Sequence, residues 1–325
     1  MEVGNARDTV DLERLLILTS RTFALSIPLL PEPTRREVTL SYLLFRVADT
    51  FEDAAAWPSA LRVEALEQFI GLLERRDPRA TEEVSRLWAA EVPCEQEGYR
   101  ELLGQLPAVL DAFFALAPER VELIRAHVLR TVEGMAGFVG RIQDGELRLR
   151  DVADLQDSCY VVAGIVGEQL TELFLCDRPA LAPAAQPLRE RARPFGEGLQ
   201  LVNILKDSAS DAVEGRLYLP QSVERPEVLT LARHDLGVAA EYVRILQEAG
   251  ADRGLVAFTA LPVRLAYATL DRVEAAGPGS KLTRPEVYAI LQRLHQALDR
   301  NEPVLSADWD AGAETASPLS AVLGL

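Results

Sequence analysis

Three carboxylates close one of the most apolar runs of the chain. In YLLFRVADTFEDAAAW (residues 42–57), Asp49, Glu52 and Asp53 follow Leu43, Leu44, Phe45 and Val47. Residues four apart share a helix face, so Asp49 and Asp53 project together with Glu52 beside them. Arg46 lies one turn before Asp49, and Tyr42 one turn before Arg46. The result is a polar stripe, Tyr42–Arg46–Asp49–Asp53, on an otherwise apolar helix. A second stripe occurs in FGEGLQLVNILKDSASDAVEGRLYLP, where Asn203, Asp207 and Asp211 are again four apart. Gln200 precedes Asn203 by one turn, Lys206 and Arg216 add positive charge, and Leu199, Leu201, Val202, Ile204 and Leu205 fill the other positions.

A buried carboxylate is costly unless it is paired or holds a metal. One D-x-x-x-D reads equally as a solvated face with an Arg partner. Two such pairs, each in an apolar helix and one extended by amides that need partners when buried, favour a ligand set. If the two helices face each other, four carboxylates and an amide line one cavity and require cations between them. Oxygen-only donors suit Mg²⁺, which bridges to substrate phosphates, and the adjacent Arg and Lys suit phosphate oxygens. The expectation is a diphosphate held with more than one Mg²⁺.

Clamped this way, a diphosphate is a good leaving group. An allylic carbon would then ionise to a cation that apolar and aromatic walls must shield from water. Gly134, Gly137 and Gly140, and then Gly164 and Gly167, are spaced three apart in apolar segments. They read either as room for a prenyl chain or as close helix–helix packing.

The elements that must position these groups are helices. TVDLERLLILTSRTFAL, RVEALEQFIGLLERR, RVELIRAHVLRTVEGMAGFV and LGVAAEYVRILQEAG repeat apolar residues at three and four, and no hairpin pattern interrupts them. The pattern predicts an all-α bundle of roughly ten helices around a hydrophobic cavity. No shift of composition marks a boundary, so a single domain over 1–300 is expected, with 301–325 a loose acidic tail.

Composition narrows the function classes. A formal net charge of −16 argues against nucleic acid and against simple electrostatic attachment to anionic membranes. Cys94, Cys159 and Cys176 form no CxxC pair, and the three histidines form no HExxH, so disulfide frameworks and histidine zinc sites are not indicated. The acidic start lacks the layout of a signal peptide. No continuous run approaches the ~18 apolar residues of a membrane span. A cytoplasmic location is expected, with peripheral membrane contact if the product is apolar.

With these segments in order, the chain resembles the squalene/phytoene synthase family, and within it soluble prokaryotic squalene synthases. SRTFALSI (20–27), YLLFRVADTFEDA (42–54), GMAGF (134–138), VAGIVG (162–167), GLQLVNILKDSASD (198–211) with GRLYLP, and ALPVRLAYATL (260–270) are similar to family segments. The resemblance implies an isoprenoid-synthase helical fold. It also implies head-to-head joining of two farnesyl diphosphates through presqualene diphosphate, with NADPH reduction to squalene. It assigns Asp49, Asp53, Asn203, Asp207 and Asp211 to Mg²⁺, with Glu52 as an additional candidate. Arg21, Tyr42, Arg46, Lys206 and Arg216 would hold diphosphate. Ser20 belongs to the entry segment, and Phe23, Phe138, Val162, Gln200 and Leu261 would line the hydrocarbon pocket. Lys281 and Arg284 are candidates for a cofactor phosphate.

Three positions depart from the family pattern. Ser158 stands where a Tyr is usual, and Tyr160 lies two residues on. Lys206 replaces an Arg, and Ser210 replaces an acid. The alternatives are a synthase that stops at dehydrosqualene, presqualene diphosphate or phytoene, and a non-catalytic isoprenoid-binding protein on the same fold.

Overall fold

The structure is a computed structural model, described here for residues 10–20, 22–92 and 96–305. Arg21, Cys94 and the stretch 306–325 of the expected tail lie outside the described residues. Among the described residues the chain is helical, apart from one two-residue parallel pairing of β1 (Leu147–Arg148) with β2 (Arg216–Leu217). The helices outnumber the roughly ten expected, because several are only two turns long.

Two compact units are present, Met1–Pro28 with Glu32–Gly145, and Leu29–Pro31 with Glu146–Leu325. The junction, RIQDGELRLRD, has no linker composition and so left no trace in the sequence pattern.

The first unit contains α1 (Leu12–Thr19), α2 (Phe23–Ser26), α3 (Thr34–Glu52), α4 (Ser59–Arg75), α5 (Pro78–Glu91), α6 (Glu97–Gly104), α7 (Leu106–Phe114) and α8 (Pro118–Val139). The starts follow local chemistry. Asp11 accepts from the Arg14 N–H at the head of α1, and Asp77 caps α5 ahead of Pro78. Helix α3 is apolar on most of its circumference and is correspondingly central. Leu40, Leu43, Leu44, Val47, Ala48 and Phe51 are fully buried. The Phe51 ring meets Trp88 of α5 edge-on at 4.5 Å. Truncating such a ring to Ala costs about 3–5 kcal/mol. The buried Glu37 of α3 pairs with Arg120 of α8, Nε to Oε1 at 3.1 Å.

The second unit contains α9 (Val152–Cys159), a π-turn over Tyr160–Gly164, α10 (Ile165–Cys176), α11 (Ala185–Val213), α12 (Arg225–Glu248), α13 (Arg253–Ala276) and α14 (Arg284–Asp299). The long α11 is its axis, packed by α9, α10, α12, α13 and the π-turn. Its contact with α10 is a backbone contact. A Cβ on Gly167 would lie 2.1 Å from the Ala192 carbonyl oxygen, and one on Gly196 would lie 2.0 Å from that of Ala163. The Gly164–Gly167 spacing therefore serves close packing here, the second of the two readings that the spacing allowed. Gly137, by contrast, faces open space.

The helical stretch Val152–Cys176 is 25 residues long and, by length and composition, apolar enough to cross a membrane; half of its most apolar window is buried in the fold. This corrects the expectation that no segment would qualify. Ser158, Glu168 and Gln169 interrupt the continuous run that the sequence criterion counts. Leu155, Cys159, Ile165, Leu173 and Phe174 are core side chains, as in a central helix of a folded unit.

Candidate active site

The first acidic stripe occupies the last three turns of α3 and ends on Asp53, the residue that follows the helix. Tyr42 is buried, and its hydroxyl donates to the Thr19 carbonyl at 2.7 Å, which ties α3 to the end of α1. Phe23 stacks at a tilt against the Tyr42 ring, with centroids 5.4 Å apart. Ser20, just after α1, accepts the Phe23 N–H on its hydroxyl at 2.9 Å and so starts α2. The Arg46 guanidinium lies 5.6 Å from the Tyr42 ring centre and 5.4 Å from that of Tyr99. Its Nε donates to the Tyr42 hydroxyl at 3.3 Å, and its Nη1 lies 3.2 Å from Asp49 Oδ2.

Asp49 keeps 29% of its side-chain surface exposed. Burial pushes its carboxyl up to about 6; Arg46 opposes the shift and Asp53 adds to it. Asp53 is the exposed residue that ends the helix. Its N–H still donates to the Asp49 carbonyl at 2.8 Å, so the two acids keep their one-turn relationship. Glu52 is half-buried beside them.

The second stripe runs along the C-terminal part of α11. Asn203 is exposed, and Lys206 donates to its Oδ1 at 3.1 Å while lying 3.1 Å from Asp207 Oδ2. Asp211 pairs with Arg216 of β2 at 3.3 Å, and Arg216 also meets Glu214 at 2.7 Å. Burial raises the Asp211 pKa, against the lowering effect of Arg216. The β1–β2 pairing thus has a local purpose, because it holds Arg216 beside the last acid of the stripe. Gln200 is half-buried one turn upstream.

The candidate metal ligands of both stripes, Asp49, Glu52, Asp53, Asn203, Asp207 and Asp211, offer only carboxylate and amide oxygens, the set that suits a hard divalent cation. Among the described residues no three His, Cys, Asp or Glu side chains form a ready-made cage. Mg²⁺ is commonly held by one or two carboxylates plus waters and substrate phosphates, and each stripe offers that number. A cation would also relieve the desolvated carboxylate of Asp49.

A family model described as squalene/phytoene synthase matches residues 18–226, which include both stripes. The chain belongs to the squalene/phytoene synthase family. It is 27% identical over 293 residues to squalene synthase ERG9 of Candida albicans, covering 83% of this chain and 62% of that protein. It is 30% identical over 209 residues to squalene synthase ERG9 of Saccharomyces cerevisiae, covering 64% of this chain and 45% of that protein. The chain thus spans less than two thirds of the length of these relatives. Among solved structures, TcSQS in complex with the ligand E5700 superposes with a TM-score of 0.69 at 25% identity, covering 92% of this chain and 91% of that one.

The remaining family-assigned residues occupy varied settings. Phe138 is half-buried on α8 with the Arg141 guanidinium 4.9 Å from its ring centre. Val162 is half-buried within the π-turn, and Leu261 is fully buried on α13. Ser158 is buried on α9. The Tyr160 hydroxyl lies 3.3 Å from Glu168, and the Arg193 guanidinium lies 4.4 Å from the Tyr160 ring centre.

Sequence reading missed several residues. Tyr99 backs Arg46 from α6, more than fifty residues away, and nothing local announces it. Arg62 of α4 is buried and donates to the carbonyls of Phe51 and Glu52, yet in sequence it reads as a surface cation. Glu197 did carry a signal, an acid inside FGEGLQL, and it is buried with Arg193 Nε at 2.6 Å from its Oε1.

Proposed function

We propose that this chain joins two farnesyl diphosphates head to head through presqualene diphosphate to squalene, using Mg²⁺ and NADPH. The observation that carries the reading is the pair of acidic stripes, each with a cation from its own unit: Arg46 on Asp49 at 3.2 Å and Arg216 on Asp211 at 3.3 Å.

In this reading Asp49 and Asp53, with Glu52 beside them, and Asn203, Asp207 and Asp211 hold the metal ions. Bound Mg²⁺ supplies charge neutralisation at the departing diphosphate oxygen. Arg46 is braced by two aromatic faces and the Tyr42 hydroxyl, so its fork meets phosphate oxygens with little loss of freedom. Lys206 and Arg216 take the corresponding role on α11, Lys206 as a point charge. Arg21 is a further phosphate ligand in this reading. Phe23 and Phe138 in the first unit and Val162, Gln200 and Leu261 in the second are the residues this reading assigns to hydrocarbon.

NADPH supplies the hydride for the reductive stage. Lys281 and Arg284 are exposed and free to meet its phosphates, and their loop is joined to the acidic helix: the Gly279 N–H donates to the Lys206 carbonyl at 2.7 Å. A second reading, a synthase that releases dehydrosqualene or presqualene diphosphate without reduction, is favoured by the small buried Ser158. The product would be apolar, so a cytoplasmic protein with peripheral membrane contact fits this chemistry.

The test is incubation with farnesyl diphosphate and Mg²⁺, with and without NADPH, followed by mass spectrometry of the extract. Squalene formed only with NADPH supports the proposal. Dehydrosqualene or presqualene diphosphate regardless of NADPH supports the second reading. No diphosphate release, from farnesyl or geranylgeranyl diphosphate, would leave a binding protein on this fold.

A further inference from the structure

Helix α3 ends in an electrostatically poor place. Its final carbonyls point past Glu52, and the negative end of the helix dipole meets Asp49, Glu52 and Asp53. Carboxylates at a helix C-terminus repel that dipole, and the terminal carbonyls need donors. The chain resolves this from α4. Arg62, in the first turns of that helix, is 7% exposed; its Nε donates to the Phe51 carbonyl at 3.3 Å and its Nη2 to the Glu52 carbonyl. The connection between the helices is tight. The Asp53 N–H bonds back to the Asp49 carbonyl, Ala54 to Phe51, Ala55 to Asp53 and Trp57 to Ala54. A buried guanidinium is tolerated only when its donors are used, and here two of them are given to the backbone that carries the acids.

We propose that Arg62 is a positioning residue for the Asp49–Asp53 pair. It never meets substrate. It locks the last turn of α3 so that two carboxylates stay on one face, within reach of one cation, and its charge offsets the helix end that would otherwise push them apart. The inference rests on the metal-binding reading above. Arg46 does different work: it pairs with one carboxylate, Asp49, whereas Arg62 bonds the backbone carbonyls of Phe51 and Glu52 in the last turn.

The test uses the full chain without substrate. Mg²⁺ binding in the presence of inorganic pyrophosphate is measured by titration calorimetry. Backbone hydrogen exchange over residues 50–57 and thermal melting are measured in parallel. Arg62→Gln is expected to weaken Mg²⁺ about tenfold, the scale for groups that orient metal ligands, and to speed exchange at Asp53 and Ala54. Arg62→Lys keeps the charge but reaches one carbonyl, and is expected to weaken Mg²⁺ about threefold. A merely structural Arg62 would lower the melting temperature and leave the Mg²⁺ dissociation constant of the folded protein unchanged. That result in Arg62→Gln, or in Arg62→Lys if the Gln variant does not fold, overturns the proposal. Asp53→Asn separates the two claims. If wild type binds no Mg²⁺, the metal reading fails and this inference falls with it. If Asp53→Asn loses binding and the Arg62 variants do not, only the positioning role is wrong.

Discussion

The backbone N–H of Gly279 donates to the carbonyl of Lys206 at 2.7 Å, so the loop after α13 is pinned to the helix that carries the second acidic stripe. Gly277 and Gly279 both adopt positive φ, +83° and +82°, which lets the loop turn back sharply enough to reach α11. The Arg272 guanidinium, donating to the Lys281 carbonyl at 3.1 Å and pairing with Glu286, fixes the far side of the loop. Lys281 and Arg284 are thereby held on a short, constrained segment joined to the backbone of Lys206.

Replacing both Lys281 and Arg284 with Ala is therefore expected to raise the KM for NADPH about tenfold, while farnesyl diphosphate ionisation changes by less than about threefold. The two charges are solvent-exposed, so each contact is worth about 1 kcal/mol or less. Steady-state squalene formation and single-turnover diphosphate release, measured side by side, separate the two effects. Equal loss in both assays would remove these residues from any cofactor role.

Asp49 gives a pH prediction with a defined sign. Its carboxyl is raised to about 6, first by burial and further by Asp53, against the pull of Arg46. A protonated carboxyl cannot ligate Mg²⁺, so metal affinity is expected to fall about tenfold per pH unit below 6 and to level off above 7. Asp49→Asn should abolish that pH dependence and reduce turnover by at least about 100-fold, the scale for losing one preorganised electrostatic group. Mg²⁺ titrations of activity from pH 5 to 8 check both. Near-normal turnover in the Asp49→Asn protein would remove Asp49 from the metal site.

What the sequence could show depended on the range of the interaction. The two stripes are intrahelical, set by a four-residue spacing, and both are present on α3 and α11. The Arg46–Asp49 and Lys206–Asp207 pairs lie within one turn and were legible. Tyr99 against Arg46, Arg62 under Glu52 and Gly279 on Lys206 join segments far apart in sequence, and no local pattern encodes them. The glycines show a different limit. Small residues three apart look the same whether they line space, as Gly137 does, or admit a neighbouring backbone, as Gly167 and Gly196 do. The division of the chain near Gly145 and the burial of half of the most apolar window in Val152–Cys176 were likewise invisible, because turn chemistry and burial do not follow from composition.

Glu197 is expected to destabilise the protein at neutral pH. It is 4% exposed, and burial pushes its carboxyl up to about 7; Arg193 opposes this, while Asp235 and Asp157 add to it. The buried Asp235, whose Oδ2 has no hydrogen-bond partner, is raised in the same direction by burial. A carboxyl with a higher pKa folded than unfolded binds more protons in the native state. Its contribution to stability is full below about 4.5 and is lost as pH rises through about 7. Glu197→Gln should keep a hydrogen bond to Arg193 and remove the charge. It is expected to raise stability by about 1–3 kcal/mol at pH 8, with little change at pH 4.5. Denaturant melts at the two pH values test this, and an unchanged or lower stability at pH 8 would show that the Arg193 pair outweighs the desolvation of Glu197.

The contact of α11 with α10 and the π-turn gives the sharpest structural prediction. A methyl group on Gly196 would lie 2.0 Å from the Ala163 carbonyl oxygen and 2.5 Å from its carbon, both backbone atoms with no rotamer to move aside. Gly167 meets the Ala192 backbone at 2.1 Å in the same way. Helix propensity alone would make Gly→Ala favourable by about 1 kcal/mol at either position. Overpacking typically costs about 1–3 kcal/mol and occasionally more, and here the two helices must separate as rigid bodies, so ~3 kcal/mol of net loss is expected. Gly137→Ala, where the added methyl meets nothing within 4 Å, should instead be neutral or stabilising. Thermal melts of the three single variants decide the matter. A Gly196→Ala protein as stable as Gly137→Ala would mean that α11 and the π-turn do not approach through their backbones.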